Sequence, residues 1–193
     1  SGSMKDPAGS STRMALAHQA GLVALSAFPP GSVIGLWRFG YHLGGPTQDW
    51  QEMVPQRGLN DVVGGKDQRA LLAEGFATLA ARPGGSTGLY DTILAAYEQA
   101  KAGYDPTRIN SVVLLTDGKN EDPYSTTLDD LLAKLAADKD PARPIVVITV
   151  AIGPDADAAT LARVTEVTGG RSYTATAPEQ ITGVFVDALL NRS

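Results

Sequence analysis

The chain has 193 residues, a net charge of −5 at neutral pH and no cysteine. This length suffices for one medium domain with a buried core. The acidic balance and the lack of a basic cluster disfavour nucleic-acid binding, and the absence of cysteine excludes disulfides, thiolate zinc sites and cysteine nucleophiles. No apolar run approaches the roughly 20 residues that a membrane span requires, so we expect no membrane insertion by this segment.

The first predicted elements are a helix and two strands. Small residues at helical spacing predict a helix over 12–27, with Ser11 as its N-cap. The nearly continuous apolar run 33–39 is typical of a strand that is covered on both faces. Residues 50–54 are predicted to pair back as an antiparallel edge strand, because Pro55 is tolerated at a sheet edge.

The middle of the chain predicts two helices and a buried strand. Residues 56–66 are predicted to form a loop, and residues 67–81 a helix. A second helix is expected from about Thr87, since apolar residues recur there at helical spacing. The short apolar strand 112–115 leads directly into Thr116-Asp117-Gly118.

The last third continues the alternation of helix and strand. Thr126 and Asp129 have the spacing of a capping box before a helix. Residues 145–150 are almost all β-branched and predict a fully buried strand. Asp157 is the expected N-cap of the next helix, and residues 171–175 are the expected edge strand.

Unbroken apolar strands that alternate with helices predict the fold class. We expect an α/β domain with a doubly wound, mainly parallel sheet, helices on both faces and one antiparallel edge strand. Ligands of such sheets bind at the carboxyl ends of the strands. No internal boundary is evident, so residues 1–193 are predicted to form a single domain.

Three loop segments carry the residues with metal-binding chemistry. They are residues 1–4 (Ser-Gly-Ser-Met), 85–91 (Gly-Ser-Thr-Gly-Leu-Tyr-Asp) and 114–118 (Leu-Leu-Thr-Asp-Gly). Together they resemble the metal-ion-dependent adhesion site of von Willebrand factor type A (VWA) domains of the bacterial type. The family pattern is Asp-x-Ser-x-Ser after the first strand, a threonine in a middle loop and an aspartate after a later strand.

The resemblance assigns four metal ligands in this chain. Ser1 and Ser3 match the two serines, Thr87 matches the threonine and Asp117 matches the later aspartate. Neutral hydroxyls with one or two carboxylates form a hard-oxygen site that suits Mg²⁺ or Mn²⁺. Few negative ligands leave the ion electrophilic, and in this family an Asp or Glu carboxylate of a protein partner completes its coordination.

The function that the resemblance implies is metal-dependent protein binding of the adhesion type, without enzymatic activity. Bacterial VWA domains of this kind often belong to larger extracytoplasmic or membrane-anchored proteins, some with a solute-binding domain. We therefore expect an extracytoplasmic or cell-surface location and a larger parent chain.

One departure from the family pattern concerns the start of the chain. The first aspartate of the pattern would lie two residues before Ser1. The first strand, which is central in the family's sheet, would lie upstream as well. We therefore interpret the sequence as a VWA-like domain truncated at its N-terminus, and expect an open slot with two unpaired strand edges and weakened metal binding.

Each ligand assignment has a simpler alternative. In these alternatives Ser1 to Ser3 are cloning residues, Thr87 is a helix N-cap and Asp117 is a turn residue. Asp91 is expected to serve the first turn of its helix rather than a metal. Two other functions stay open: a structural VWA scaffold with an empty or defective metal site in a bacterial surface or solute-binding assembly, and a nucleotide-binding enzyme, for which no complete phosphate-loop motif is present.

Overall fold

The computed structural model describes residues 7–8, 11–81, 87–117, 119–153, 156–176, 180, 183–184 and 186–188. Strands and helices alternate along most of this chain. In order they are β1 (Pro7–Ala8), β2 (Ser11–Thr12), α1 (Arg13–Ala27), β3 (Val33–Phe39), β4 (Trp50–Gly58), β5 (Val62–Val63), β6 (Lys66–Asp67), α2 (Gln68–Ala81), α3 (Leu89–Ala102), β7 (Asn110–Thr116), α4 (Leu128–Asp138), β8 (Ile145–Ile152), α5 (Ala158–Thr168) and β9 (Ser172–Ala175).

The helix starts are set by hydroxyl and carboxylate caps. Thr12 caps α1, because its Oγ1 accepts the N–H of Ala15 at 3.2 Å, so the N-cap predicted at Ser11 is wrong by one residue. The capping residue predicted at Thr126 is also one residue early, since Thr127 Oγ1 accepts the N–H of Asp130 at 3.1 Å. The cap predicted at Asp157 is confirmed.

The loop predicted over residues 56–66 is wrong. Strand β4 continues through Pro55 to Gly58, and β5 and β6 form a small antiparallel hairpin. Gly64 and Gly65 join the two short strands with φ values of 62° and 82°. Two consecutive positive φ angles produce the tight turn whose twist matches a hairpin, and glycine adopts them without strain.

Strand β8 is the centre of a three-stranded parallel sheet with the order β7-β8-β9. Its side chains alternate between two cores. Ile148, Val150 and Ile152 pack with the small residues of α1, whereas Val147 and Ala151 pack with α3, α4 and α5. Helices therefore cover both faces of the parallel sheet, as the sequence predicts.

The second sheet consists of the antiparallel strands β3 and β4. Trp37 and Trp50, on neighbouring strands, stack with ring centroids 6.0 Å apart. The fully buried side chain of Gln68 joins this sheet to α2, because its Nε2 donates to the carbonyls of Ile34 and Pro55 at 2.8 and 2.7 Å. The predicted antiparallel pairing of this region is thus confirmed.

A cavity of about 780 Å³ separates the two sheets. Every residue of β3 and of β7 lines it, and within the described residues β3 pairs only with β4 and β7 only with β8. Both strands begin at the same end, where the Arg108 guanidinium donates to the carbonyl of Gly31. Each of these two strands thus borders the cavity with an edge that pairs with no other strand among the described residues.

Among the helices that the structure describes, none combines the length and the apolar character that crossing a bilayer requires.

Candidate metal centre

Asp117 follows β7 directly and is fully buried. The carboxyl end of a parallel strand places it at the edge of the sheet where ligands bind. Its Oδ2 lies 3.4 Å from Nη1 of Arg13, whereas its Oδ1 has no hydrogen-bond partner in the part of the chain that the structure describes. A buried carboxylate oxygen without a partner is costly, and a turn residue would not require it. The alternative assignment of Asp117 as a plain turn residue therefore leaves Oδ1 unexplained.

Thr87 is also fully buried, and none of the described residues forms a hydrogen bond with its Oγ1. Helix α3 begins at Leu89 with Gly88 as its N-cap, so the alternative assignment of Thr87 as the N-cap is wrong. Leaving a buried hydroxyl unpaired costs about 1–3 kcal/mol. Thr87 Oγ1 and Asp117 Oδ1 are thus two buried oxygen atoms of the kind that hard divalent cations prefer.

Glu121 and Asn120 join the loop that carries Thr87 to the loop that carries Asp117. The N–H of Glu121 donates to the carbonyl of Thr87 at 2.8 Å, and the N–H of Thr87 donates to Oε2 of Glu121 at 3.2 Å. Asn120 Oδ1 accepts the N–H groups of Leu89 at 2.8 Å and Tyr90 at 3.4 Å. The structure therefore brings two of the three predicted ligand loops together. The other predicted ligands, Ser1 and Ser3, lie outside the described residues.

Arg13 places a positive charge beside this pair of loops. It is the first residue of α1, and its side chain is 11% exposed. Gly153, with a φ of 80°, lies beneath the guanidinium, and a Cβ atom there would lie 3.2 Å from Cζ of Arg13. A residue with a side chain at position 153 would therefore crowd the guanidinium. The sequence alone assigns Arg13 no role at this site, because it lies at the start of a predicted helix and outside the three ligand segments.

A second group of carboxylates lies beside Thr87. One oxygen each of Asp49, Asp91 and Asp122 lie within 4.8 Å of one another, and Asp49 and Asp122 are buried. We call these three residues the aspartate triad. A Cβ atom at Gly88 would lie 2.0 Å from Asp49 Oδ2, so the triad is immediately next to the Thr87 loop and requires glycine there.

Backbone groups orient each carboxylate of the triad. Asp49 Oδ1 accepts the N–H of His42 at 2.8 Å, Asp122 Oδ1 that of Tyr124 at 2.8 Å and Asp91 Oδ1 that of Thr126 at 3.1 Å. Burial raises the pKa of Asp49, the hydrogen bond from His42 opposes this shift, and the carboxyl of Asp122 adds to it. Three oriented carboxylates at this separation have the chemistry to hold a cation.

Sequence reasoning missed Asp49 and Asp122. Asp91 does lie in the first turn of α3, as predicted, and the structure adds its contact with Thr126. The three aspartates come from segments far apart in sequence with no fixed spacing, so only the tertiary structure reveals the group.

The chain is similar in sequence to VWA domains and to longer proteins. The family profile described as the von Willebrand factor type A domain matches residues 49–174. Two uncharacterized proteins of Mycobacterium tuberculosis, MT1884 and Rv1836c, are each 31% identical over 190 residues, which is 95% of this chain and 26% of each protein. The chain thus spans about a quarter of the length of these relatives.

Solved VWA structures share the fold. A von Willebrand factor type A protein from Catenulispora acidiphila superposes with a TM-score of 0.69 at 20% identity, over 92% of this chain and 37% of that one. BatB from Bacteroides thetaiotaomicron superposes with a TM-score of 0.68 at 10% identity, over 99% of this chain and 93% of that one. Proximal thread matrix protein 1 from the mussel byssus superposes with a TM-score of 0.60 at 17% identity, over 92% of this chain and 41% of that one. In that structure zinc occupies the metal-ion-dependent adhesion site.

At these identities the superpositions establish the fold, and the profile match, which covers well over half of the sequence, establishes the family. The parallel sheet, the helices on both of its faces and the two joined loops at its carboxyl end agree with both findings. This chain belongs to the von Willebrand factor type A domain family.

Proposed function

We propose that this VWA domain is a protein-binding module of the adhesion type that uses a divalent cation, Mg²⁺ or Mn²⁺, to grip a carboxylate of its partner. The observation that carries the proposal is a pair of fully buried oxygen atoms, Thr87 Oγ1 and Asp117 Oδ1, that have no hydrogen-bond partner among the described residues and lie on two loops that hydrogen bonds hold together. Burying such atoms without a partner destabilises the fold. The burial of these two oxygen atoms is accounted for if both coordinate a cation in the functional protein.

The donor set favours a hard cation. A hydroxyl and a carboxylate oxygen are ligands that Mg²⁺ and Mn²⁺ accept, whereas zinc sites in proteins are built more often from histidine and cysteine. The chain has no cysteine and only two histidines, His18 and His42. In this proposal Ser1 and Ser3 supply further hydroxyl ligands, and a bound cation supplies the electrophile that attracts an Asp or Glu side chain of a partner.

The partner class and the cellular location belong to the same proposal. We expect a protein ligand that presents an acidic side chain, no catalytic turnover, and an extracytoplasmic or cell-surface location within a larger chain. The family often mediates metal-dependent protein interactions, and its match to this chain supports the partner class. Surface labelling of cells that express the full-length parent would test the location.

The experiment compares thermal unfolding of the 193-residue chain in EDTA, in Mg²⁺ and in Mn²⁺. A cation that binds only the folded state raises the unfolding temperature, and Asp117→Asn should abolish that increase. The matched control is Asp129→Asn, because Asp129 is also paired with an arginine, at 3.3 Å, but its side chain is 90% exposed. The control should retain the full increase.

The second half of the experiment tests the partner chemistry. A short peptide with one glutamate should bind the Mn²⁺-loaded chain, its glutamine counterpart should not, and EDTA should abolish binding. A chain whose unfolding temperature ignores both cations would overturn the metal site and favour the scaffold alternative. Cation binding without any preference for the glutamate peptide would overturn the proposed partner chemistry alone.

A further inference from the structure

Arg13 occupies a position that its own helix does not favour. The N-terminus of a helix carries a partial positive charge, so a cation in the first turn is unfavourable there. No acidic residue lies in the first turn of α1 to offset this charge. The side chain of Arg13 is nevertheless 89% buried and reaches Oδ2 of Asp117, more than 100 residues away in the sequence. Arg13 therefore contributes a buried positive charge to the Asp117 site.

We propose that Arg13 is an internal counter-cation that sets the metal affinity of the Asp117 site. This inference rests on the proposed function and extends it to the control of cation binding. Without a metal, the guanidinium neutralises a carboxylate that is fully buried. When a divalent cation binds at Oδ1, the same positive charge opposes it across a single carboxylate group.

Two consequences follow from this placement of charge. The fold tolerates the metal-free site, because the buried charge of Asp117 retains a partner. The site also binds its cation more weakly than the same oxygen atoms would without Arg13. A cation that shares Asp117 with a guanidinium receives less negative charge from the protein, so its attraction for an external carboxylate stays strong.

The test compares the wild-type chain with Arg13→Gln and with a control, Arg163→Gln. Arg163 forms an ion pair of similar length with Asp129, 3.3 Å, but 54% of its side chain is exposed. Mn²⁺ affinity is measured by titration calorimetry, and unfolding temperature is measured in EDTA and in saturating Mg²⁺. We expect Arg13→Gln to bind Mn²⁺ about tenfold more tightly than wild type, and Arg163→Gln to bind like wild type.

The unfolding temperatures separate this role from a purely structural one. Arg13→Gln should unfold at a lower temperature than wild type in EDTA, because Asp117 then lacks its partner, and the difference should largely disappear in saturating Mg²⁺. If Arg13 had a purely structural role, its substitution would lower the unfolding temperature equally in EDTA and in Mg²⁺. Equal or weaker Mn²⁺ binding by Arg13→Gln, or a loss that Mg²⁺ does not repair, overturns the proposal.

The outcomes also distinguish this inference from the proposed function. If wild type does not bind Mn²⁺ but Arg13→Gln does, the counter-cation role stands and the proposed function of the wild-type domain fails. If both bind equally, the function stands and the role of Arg13 fails; if neither binds, both fail.

Should Arg13→Gln not fold in either buffer, the wild-type chain provides the test. Addition of Mg²⁺ should shift the NMR resonance of the Arg13 guanidinium, and an unchanged resonance at saturation overturns the proposal.

Discussion

Replacing Thr87 with valine removes a hydroxyl and preserves the branched shape of the side chain. In the structure that hydroxyl is fully buried and forms no hydrogen bond within the described ranges. Most buried threonines lose a hydrogen bond when they become valine, so their substitution is destabilising. Thr87→Val loses none in the metal-free protein, and its only expected loss is a ligand of the proposed cation.

The expected effect therefore changes sign with the metal. Removing an unsatisfied buried hydroxyl should raise the free energy of unfolding in EDTA by about 1 kcal/mol, which corresponds to roughly 2–4 °C for a domain of this size. A cation present at about 100 times its dissociation constant stabilises wild type by about 2.7 kcal/mol. If Thr87→Val loses most of that term, it becomes about 1–2 kcal/mol less stable than wild type in Mg²⁺.

Thermal and urea unfolding in EDTA and in Mg²⁺ measure the stability gained by removing the hydroxyl and the stabilisation lost with the cation. The matched control is Thr92→Val, in the first turns of the helix α3 that follows Thr87, because Thr92 is 3% exposed and its Oγ1 donates to the carbonyl of Gly88 at 2.6 Å. Thr92→Val should be less stable than wild type by about 1 kcal/mol in both buffers. The reasoning is refuted if Thr87→Val is destabilised in EDTA to the same extent as the control, or if it retains the entire stabilisation by Mg²⁺.

Three further predictions follow from the fold and the aspartate triad. Burial raises the pKa of Asp49, so the protonated carboxyl favours folding, and its contribution to the free energy of unfolding decreases as pH rises through the folded-state pKa. Asp49→Asn should therefore stabilise the chain at about pH 7 and change its stability little at about pH 4. Urea midpoints with the opposite trend would contradict this prediction. Thr127→Ala should lower the free energy of unfolding by about 1 kcal/mol, whereas Thr126→Ala should change it little. Equal losses for the two variants in urea titrations would show that Thr127 is not the N-cap of α4. Extending the chain before Ser1 with an apolar strand should protect the backbone amides of β3 and β7 from hydrogen exchange, and unchanged exchange would show that the cavity does not accept a strand.

The sequence predicts most of the fold because hydrophobic periodicity reports burial directly. The continuous apolar run of β8 requires cover on both faces, and the structure provides it. The antiparallel pairing of β3 with β4 was likewise predictable, since Pro55 indicates a sheet edge. The hairpin of β5 and β6 was missed because two-residue strands have no measurable periodicity; its only signal was Gly64-Gly65 between pairs of strand residues.

The candidate metal centre is predictable from the sequence only where a motif marks it. Thr87 and Asp117 were predicted as ligands by resemblance, and the structure adds that Thr87 Oγ1 and Asp117 Oδ1 are buried without a hydrogen-bond partner among the residues it describes. Asp49, Asp122 and Arg13 lie outside the three ligand segments, and their positions near these loops arise from the packing of separate loops and of α1. Charge placement of this kind depends on tertiary contacts, which residue spacing along the chain does not encode.

The two hydrogen bonds between Glu121 and Thr87 have a kinetic consequence. Because the peptide N–H and the carboxylate of Glu121 hold both backbone groups of Thr87, the threonine is fixed before any ligand arrives. Little conformational entropy is then lost at this residue when an ion enters, which favours affinity without a slow rearrangement. We expect this part of the centre to exchange ions at a rate set by water loss from the ion itself, so that Mn²⁺, which releases its waters more readily than Mg²⁺, equilibrates sooner.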